Sequence, residues 1–288
     1  DLIWQAADSR ARGFLLGATA GRTTLHGEGL QHQDGHSLVL ASTVPACQAY
    51  DPAFAYEVGA IVQAGLERMY GAETPDEDRD VFYYLTLYNE NYVMPPVPAD
   101  PAVADGIMRG LYRWAPGPPE PEKRATILFS GSSQGIARHA AAELAEHYNT
   151  SAELWSATSY KRLREEALGV ERWNRLHPTE ERRVPIVTQL LDTAAGPITA
   201  VTDFMKAVPD QIARFVPRDR PFNILGTDGM GRSDTREALR RHFEIDAGHV
   251  VVATLTGLME AGLADASAVA DAIARYDIDP EAIDPLNA

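Results

Sequence analysis

The chain has 288 residues, of which 45% are hydrophobic, and this is enough to bury a core in one large or two ordinary domains. Its 41 acidic and 26 basic residues give a formal net charge of −15, which argues against binding to nucleic acid or to anionic membranes. The single cysteine excludes an internal disulfide and favours a reducing, cytoplasmic location, and no stretch approaches the roughly 18 uninterrupted apolar residues of a membrane helix.

The first third of the chain alternates strand and helix signals. Residues 14–21 (FLLGATAG) predict a buried strand, residues 37–42 (SLVLAS) a short helix, and residues 46–52 (ACQAYDP) a second strand. Apolar side chains recur at helical spacing over residues 55–70, and the β-branched and aromatic run of residues 81–89 predicts a third strand.

Proline then dominates residues 94–124. Such a segment disfavours sheet and long helix, so we expect a surface linker with a short helix near residues 107–112. The boundary between the domains is predicted near residues 116–123. This division gives a first domain of residues 1–118 and a second of residues 119–288.

The second domain continues the alternation. Because strands and helices alternate, we expect an α/β fold in which a parallel sheet is covered by helices on both faces. Asp234 is predicted to cap the helix that follows it, with Glu237 as its partner in a capping box. The predicted strands are residues 125–130, 152–159, 197–204 and 222–229, and the predicted helices are residues 136–148, 160–177, 205–216, 235–243 and the tail from 253.

Residues 27–37, GEGLQHQDGHS, which we call the histidine loop, are dense in groups that could act chemically. Together with His26, the side chains of Glu28, His32, Asp34 and His36 are possible metal ligands, but the glycines between them disfavour a helix that would fix a ligand frame. A plain polar turn is the second interpretation. The third is a ligand-binding loop at the carboxyl end of a parallel strand, where a histidine could exchange protons.

Longer motifs extend beyond this loop. The runs GRTTLHGEGLQHQDGHS, YDPAFAYEVGAIVQAGLERMYG, LYNENYVMP, ERWNRLHP, RVPIVTQLL and LGTDGMGRSDTREALRRHFEIDA resemble the homodimeric, thiamine-diphosphate-dependent pyruvate dehydrogenase component of the bacterial pyruvate dehydrogenase complex. The resemblance extends to PEAIDPLN at the end of the chain. At a coarser level the sequence is similar to transketolases.

The resemblance implies two α/β domains: the later part of a pyrimidine-binding domain, followed by a transketolase C-terminal-like domain. It also implies a longer polypeptide, which fits a chain that starts without a methionine or a signal-peptide layout. Thiamine diphosphate and Mg²⁺ are then expected to bind mainly to domains upstream of this chain. The string Gly226–Gly229 (GTDG) lies in the wrong domain and lacks the downstream asparagine pattern, so we reject it as the diphosphate motif.

The function implied by the resemblance is oxidative decarboxylation of pyruvate, with transfer of the acetyl group to the lipoyl group of dihydrolipoyl acetyltransferase. The implied partners are pyruvate, the lipoyl domain and core of that acyltransferase, a second subunit in a homodimer, and the N-terminal remainder of the same polypeptide. A transketolase, another thiamine-dependent 2-oxo acid dehydrogenase and a non-catalytic assembly fragment remain as alternatives.

The resemblance also nominates site residues. His32 matches the active-site histidine of the family and is the first candidate for a catalytic residue that binds substrate and moves protons. Asp34 and His36 are supporting candidates, for which orientation of the loop is an equal alternative. Relatives carry Glu and His at the positions of Gln33 and Leu38, which would make the proton network smaller in this chain. No metal ligand or cofactor-binding residue is assigned.

Three other features favour structural roles, and a fourth favours an interface. Residues 130–135 (SGSSQG) lie between a strand and a helix, as phosphate loops do, but match no phosphate-binding motif. Residues 89–92 are expected to form a turn, and the charged residues 161–172 a solvated helix face. The aromatic run of residues 81–84 and the region 50–56 are expected to expose an apolar surface for a partner.

Overall fold

The computed structural model describes residues 2–288 of the chain. Short 3₁₀ turns lie between the regular elements. The helices are α1 (Leu2–Asp8), α2 (Ser37–Ser42), α3 (Ala55–Tyr70), α4 (Ala102–Arg109), α5 (Gln134–Tyr148), α6 (Tyr160–Leu176), α7 (Ile186–Asp192), α8 (Arg236–His242), α9 (Ala247–Glu260) and α10 (Ala266–Arg275). The strands are β1 (Gly13–Gly17), β2 (Cys47–Tyr50), β3 (Phe82–Thr86), β4 (Tyr112–Ala115), β5 (Lys123–Phe129), β6 (Thr150–Ser156), β7 (Ile198–Val201) and β8 (Phe222–Leu225).

These strands form two sheets. The first sheet has the order β1-β3-β2 with all strands parallel. The second has the order β4-β6-β5-β7-β8, in which β4 is antiparallel and the other four strands are parallel to one another. The predicted α/β class with two domains is therefore confirmed.

Helices cover both faces of the second sheet, as the sequence predicts. The side chains of Ala125, Ile127 and Phe129 on β5 point to a core that α5, α9 and α10 close, whereas Leu128 points to a core shared with α6 and α7. This alternation follows from the two-residue repeat of a strand. A central strand buried on both faces explains the continuous apolar run ATILF.

The first sheet departs from the sequence prediction at its edge. β1 was expected to be buried, but Leu15 and Leu16 are 43% and 58% exposed because β1 is an edge strand. The prediction of an exposed apolar surface over residues 81–84 and 50–56 is wrong as well, because most of these residues are buried. Phe82 and Tyr83 lie on the central strand β3 and are buried, as is Tyr50 at the end of β2.

The proline-rich segment was predicted to contain no strand, and this is wrong. Residues Tyr112–Ala115 form β4 and pair with β6, just before the second proline cluster, which begins at Pro116. β4 is an edge strand, so one side needs no sheet partner and prolines can follow it closely. The division at residue 118 stays a prediction, although β4 belongs to the second sheet while lying before that point.

Two helix details also differ from the sequence predictions. Thr235, not Asp234, is the N-cap of α8, since its hydroxyl accepts the Ala238 N–H at 3.2 Å. Residues 161–172 were expected to be solvated throughout, yet Lys161 is buried and pairs with Glu165 on the next turn of α6. A lysine can be buried in this way only with an opposite charge beside it.

The two sheets face each other across their carboxyl ends. Asp51, which follows β2, receives the N–H of Gly131 and donates its own N–H to Thr158, both of which follow strands of the second sheet. Parallel sheets bind ligands at this end. We therefore expect a ligand-binding site at the contact between the domains. Among residues 2–288, no helix is long and apolar enough to cross a membrane.

Candidate functional site

The histidine loop follows β1 and reaches across to the second domain. Gly27 donates its N–H to the Asp234 carbonyl at 3.0 Å and accepts the Ser233 hydroxyl at 2.8 Å. At the other end of the loop, the Gly35 carbonyl accepts the N–H of Met205 at 2.9 Å. The loop is thus anchored at both ends by residues more than 150 positions away in the sequence.

His32 lies between these anchors with its side chain 57% exposed. Its Nδ1 is 3.7 Å from a carboxylate oxygen of Glu28, which is also half exposed. The ring is therefore accessible to a small molecule. A histidine in this setting can donate a hydrogen bond to an anionic substrate and exchange a proton with it.

Asp34 faces the backbone rather than His32. One carboxylate oxygen accepts the N–H groups of His36 and Ser37 at 3.1 and 2.9 Å, and the other accepts the Ser37 hydroxyl. These bonds secure the start of α2. His36 is the N-cap residue of α2 and is exposed. The structure therefore brings Asp34 to the backbone of His36, while His32 is paired with Glu28.

The sequence interpretation assigned no contact to Gln33, which is only 6% exposed. Its side-chain amide donates to the Arg232 carbonyl at 2.6 Å and accepts the Arg232 N–H at 2.9 Å. This pair of bonds ties the histidine loop to the GTDGMGRS turn. The sequence contains both segments, but nothing in it shows that they meet.

Arg22 makes a second tie between the domains. It is buried, and its guanidinium donates to the Gly229 carbonyl at 2.6 Å. Burial lowers the pKa of Arg22, and the carboxylates of Asp228, Asp34 and Asp203 oppose that shift. A buried guanidinium surrounded by three acids balances negative charge that would otherwise repel across the domain contact.

Asp203 lies at the centre of the contact and is fully buried. Its carboxylate accepts the backbone N–H of Thr23 and the hydroxyl of Ser132, and its own backbone carbonyl accepts the Thr227 hydroxyl. Burial raises the pKa of Asp203 to about 7, against the opposing charge of Arg240. This carboxyl group therefore changes its ionisation close to neutral pH.

A second buried carboxylate, Asp51, lies in the same domain contact. Asp51 accepts the hydroxyls of Thr86 and Tyr88, and burial raises its pKa. Gly131 lies against Asp51 and Tyr88 with φ +49°. A Cβ at this position would lie 2.5 Å from the Asp51 carboxylate and collide with the Tyr88 hydroxyl. The close approach explains why the turn after β5 requires glycine.

The GTDG string does not fit a diphosphate or Mg²⁺ site. The Asp228 carboxylate accepts the N–H of Lys206 at 3.0 Å, and the Gly229 carbonyl is engaged by Arg22. Through Arg22 and Gly229 the string joins the two domains.

The SGSSQG turn also satisfies its own hydroxyls. The Ser130 hydroxyl donates to Thr202 and the Ser133 hydroxyl donates to the Ser130 and Val201 carbonyls, while Ser132 faces the Asp203 carboxylate. A phosphate here would meet two buried acids, so the geometry disfavours anion binding. The turn at residues 89–92 is likewise structural, since Glu90 pairs with Arg240.

Among residues 2–288, one group of side chains has the geometry to hold a metal ion, and it is not in the histidine loop. Glu143, Glu146 and His147 on α5 bring their ligand atoms within 4.8 Å of one another. Glu146 is exposed, and Glu143 already accepts the Tyr276 hydroxyl at 2.9 Å. Such exposed groups occur commonly on helices of acidic proteins, so this cluster carries no functional assignment.

Comparison with known families separates the chain into the same two parts. Residues 1–95 match the pyruvate dehydrogenase E1 component middle domain, and residues 110–246 match the transketolase-like C-terminal domain. The match to the second family begins just before β4, in agreement with the pairing of that strand.

Curated relatives match nearly the whole chain. The pyruvate dehydrogenase E1 component of Mycolicibacterium smegmatis is 50% identical over 97% of this chain and 29% of its own length. That of Escherichia coli K12 is 47% identical over 99% of this chain and 31% of its own length. The chain therefore spans less than a third of the length of these relatives.

Solved structures show the same fold at low identity. Transketolase from Leishmania mexicana superposes with a TM-score of 0.61 at 15% identity, covering 92% of this chain and 34% of that chain. A transketolase from Pichia stipitis superposes with a TM-score of 0.63 at 15% identity, covering 91% and 32%. At this identity the likeness concerns the fold alone.

Proposed function

Because this chain belongs to the family of pyruvate dehydrogenase E1 components, we propose that it forms part of an enzyme that oxidatively decarboxylates pyruvate. In the proposed reaction the acetyl group passes to the lipoyl group of dihydrolipoyl acetyltransferase. Identity of 43% to 50% with curated relatives of that name over nearly the whole chain is the observation that carries the proposal. Transketolases share the fold at 15% identity, so the sequence favours the dehydrogenase.

The chain contributes a loop to the proposed active site. His32 stands exposed at the carboxyl end of the first sheet, where parallel sheets bind ligands, and both domains hold the segment that bears it. We assign His32 the role of hydrogen-bonding the carboxylate or carbonyl of pyruvate and moving a proton at its imidazole. His36 is close enough in sequence to support it, and Asp34 orients the loop through the backbone.

Thiamine diphosphate and Mg²⁺ are part of the proposal, bound mainly by residues outside this chain. When bound, thiamine diphosphate supplies the nucleophilic carbon and accepts the electrons that are released with CO₂. Residues 2–288 contain no string that fits the diphosphate motif, since GTDG is engaged in joining the domains. The proposed enzyme therefore needs the remainder of a longer polypeptide.

The proposed assembly is a cytoplasmic homodimer that meets the lipoyl domain and core of the acetyltransferase. Exposed apolar side chains on β1 and α1, including Leu16 and Trp4, support a covered surface at this edge of the first sheet. A single buried cysteine fits a reducing compartment. A place in glycolytic carbon metabolism follows from the proposed substrate.

Steady-state assays on the full-length protein that contains this chain test the proposal. Thiamine-dependent consumption of pyruvate, coupled to acetylation of a lipoyl domain, is the expected result. Transfer of a two-carbon unit between sugar phosphates, without turnover of pyruvate, would instead support a transketolase. Inactivity in both assays, with the cofactor shown to be bound, would favour the non-catalytic assembly fragment.

A further inference from the structure

The proposed catalytic side chain, His32, is not itself held in place. It is exposed, and its described polar contact is with Glu28, which is exposed as well. An exposed pair of this kind contributes little to fixing a side chain in water. The orientation of the imidazole must therefore come from the backbone that carries it.

The residue beside it is held firmly. Gln33 is buried, and its amide group makes two opposed hydrogen bonds to the backbone of Arg232, at 2.6 and 2.9 Å. The side-chain amide thus pairs with the Arg232 backbone as a neighbouring strand would. Both donor–acceptor distances lie within or close to the normal range for N–H···O bonds. Two bonds in opposite directions define the position of Gln33 and also the rotation of its side chain.

The surroundings of this pair leave little room for movement. A Cβ at Gly231 would lie 2.7 Å from the side-chain amide oxygen of Gln33 and 3.1 Å from the Cα of Leu30. The turn that carries Arg232 therefore lies in contact with the loop on both sides of His32. Gly27, five residues before His32, is fixed to the same turn through Asp234 and Ser233.

We propose that Gln33 is a positioning residue for His32, acting through its amide pair with the Arg232 backbone. This inference rests on the proposed function of His32. Gln33 touches no reacting atom, and its effect passes along the main chain to the neighbouring residue. Because misplacement of a catalytic group by about 1 Å can cost up to roughly 100-fold in rate, a clamp of this kind is worth measurable activity.

A double-mutant cycle in the full-length enzyme tests the inference. Gln33→Ala removes both bonds and should lower kcat by about 10-fold, whereas Gln63→Ala, at an exposed position on α3, should leave it unchanged. In the His32→Ala background, Gln33→Ala should have no further effect, because the residue acts through His32. Gln33→Glu keeps the acceptor and loses the donor, so its rate should fall between those of wild type and Gln33→Ala.

The cycle separates the two proposals. If His32→Ala has full activity, the proposed function of His32 fails, whatever Gln33 does. If His32→Ala is impaired and Gln33→Ala lowers the rate equally in both backgrounds, the positioning role is wrong and Gln33 acts elsewhere.

Hydrogen exchange gives a readout that does not depend on activity. In full-length Gln33→Ala, backbone amides of residues 27–36 should exchange faster while the melting temperature and the exchange of α9 stay as in the wild type. Unchanged exchange in the histidine loop would overturn the proposal. Faster exchange throughout the second domain would also overturn it, since it would show general destabilisation in place of a local hold.

Discussion

The carboxylate of Asp203 accepts the backbone N–H of Thr23 across the domain contact. The Thr23 nitrogen lies 3.1 Å from one carboxylate oxygen and 3.3 Å from the other. Thr23 precedes the histidine loop, and Asp203 follows β7 of the second sheet. The Thr23 hydroxyl is within 3.4 Å of Arg240, whose guanidinium also pairs with Glu90. One buried acid therefore connects the base of the proposed catalytic loop to the second domain.

This arrangement predicts a pH dependence of stability. Asp203 has a pKa of about 7 when folded, because of burial, against an ordinary value of 3.8. The folded state thus holds the proton more tightly than the unfolded state. The contribution of Asp203 to stability is fully present below about pH 4 and is lost as the pH rises towards 7. Each pKa unit corresponds to about 1.4 kcal/mol.

Asp203→Asn isolates this contribution, since the amide keeps an acceptor for Thr23 and cannot ionise. We expect the variant to lose less stability than the wild type when the pH is raised from about 5 to about 8. Thermal melting in that range measures the difference. Asp234→Asn, at an exposed position, serves as the control. Parallel pH profiles for Asp203→Asn and the wild type would show that the carboxyl is ionised throughout.

A second prediction concerns His32 in the full-length enzyme. His32→Ala should lower turnover of pyruvate by about 10²-fold, which is a typical loss for a group that handles protons. The melting temperature should not change, because the side chain is 57% exposed. His26→Ala is the matched control, since His26 is an exposed histidine next to the loop. Equal turnover for both variants and the wild type would remove His32 from the mechanism.

A pair of glycines gives a third prediction with opposite signs. Gly131→Ala places a Cβ against Asp51 and Tyr88 at φ +49°, so it should destabilise the protein by about 2 kcal/mol or more. Gly135→Ala lies in α5 with open space around it and should stabilise by about 0.5–1 kcal/mol. Chemical denaturation measures both values. Equal effects would mean that the approach at Gly131 relaxes without cost.

Much of the fold could be predicted from the sequence because its elements are locally encoded. The apolar run of β5 and the spacing of α3 follow the two-residue and 3.6-residue repeats, and both lie where the sequence places them. β4 was missed because its four residues carry no repeat and prolines follow at once. The exposure of β1 was missed because burial depends on which strands lie beside it, and a run such as FLLG gives no information on that.

The candidate site was harder to predict, for a related reason. His32 could be nominated from the resemblance of a contiguous motif, but its supports come from distant segments. Gln33 meets Arg232 across 199 positions, and Thr23 meets Asp203 across 180. Asp203 stands in an ordinary run, VTDF, where a buried acid with a pKa of about 7 has no local signature.

A fourth prediction concerns metal content. Elemental analysis of the purified chain should find no bound transition metal, where a zinc site would give about one equivalent. If metal is found, variants locate it. Loss on His147→Ala would place it on α5 beside Glu143 and Glu146, and loss on His32→Ala would place it in the histidine loop. The second outcome would overturn the catalytic assignment of His32.

The last prediction concerns the independence of the two domains. Residues 1–115 should be unstable alone, since Leu38, Ala49 and Phe82 lose the core that they share with the second domain, and β4 loses its partner β6. Residues 120–288 should fold as an α/β domain, but without β4, whose Tyr112 and Arg113 pair with Ser156 and Trp155. The fragment 110–288 restores that strand and should melt roughly 5 °C higher, as expected for one to two kcal/mol in a domain of this size. Melting curves of the three fragments provide the comparison.

Equal melting temperatures for 110–288 and 120–288 would show that β4 adds no stability to the second sheet. A cooperative transition in 1–115 would show that the first sheet is complete without a partner.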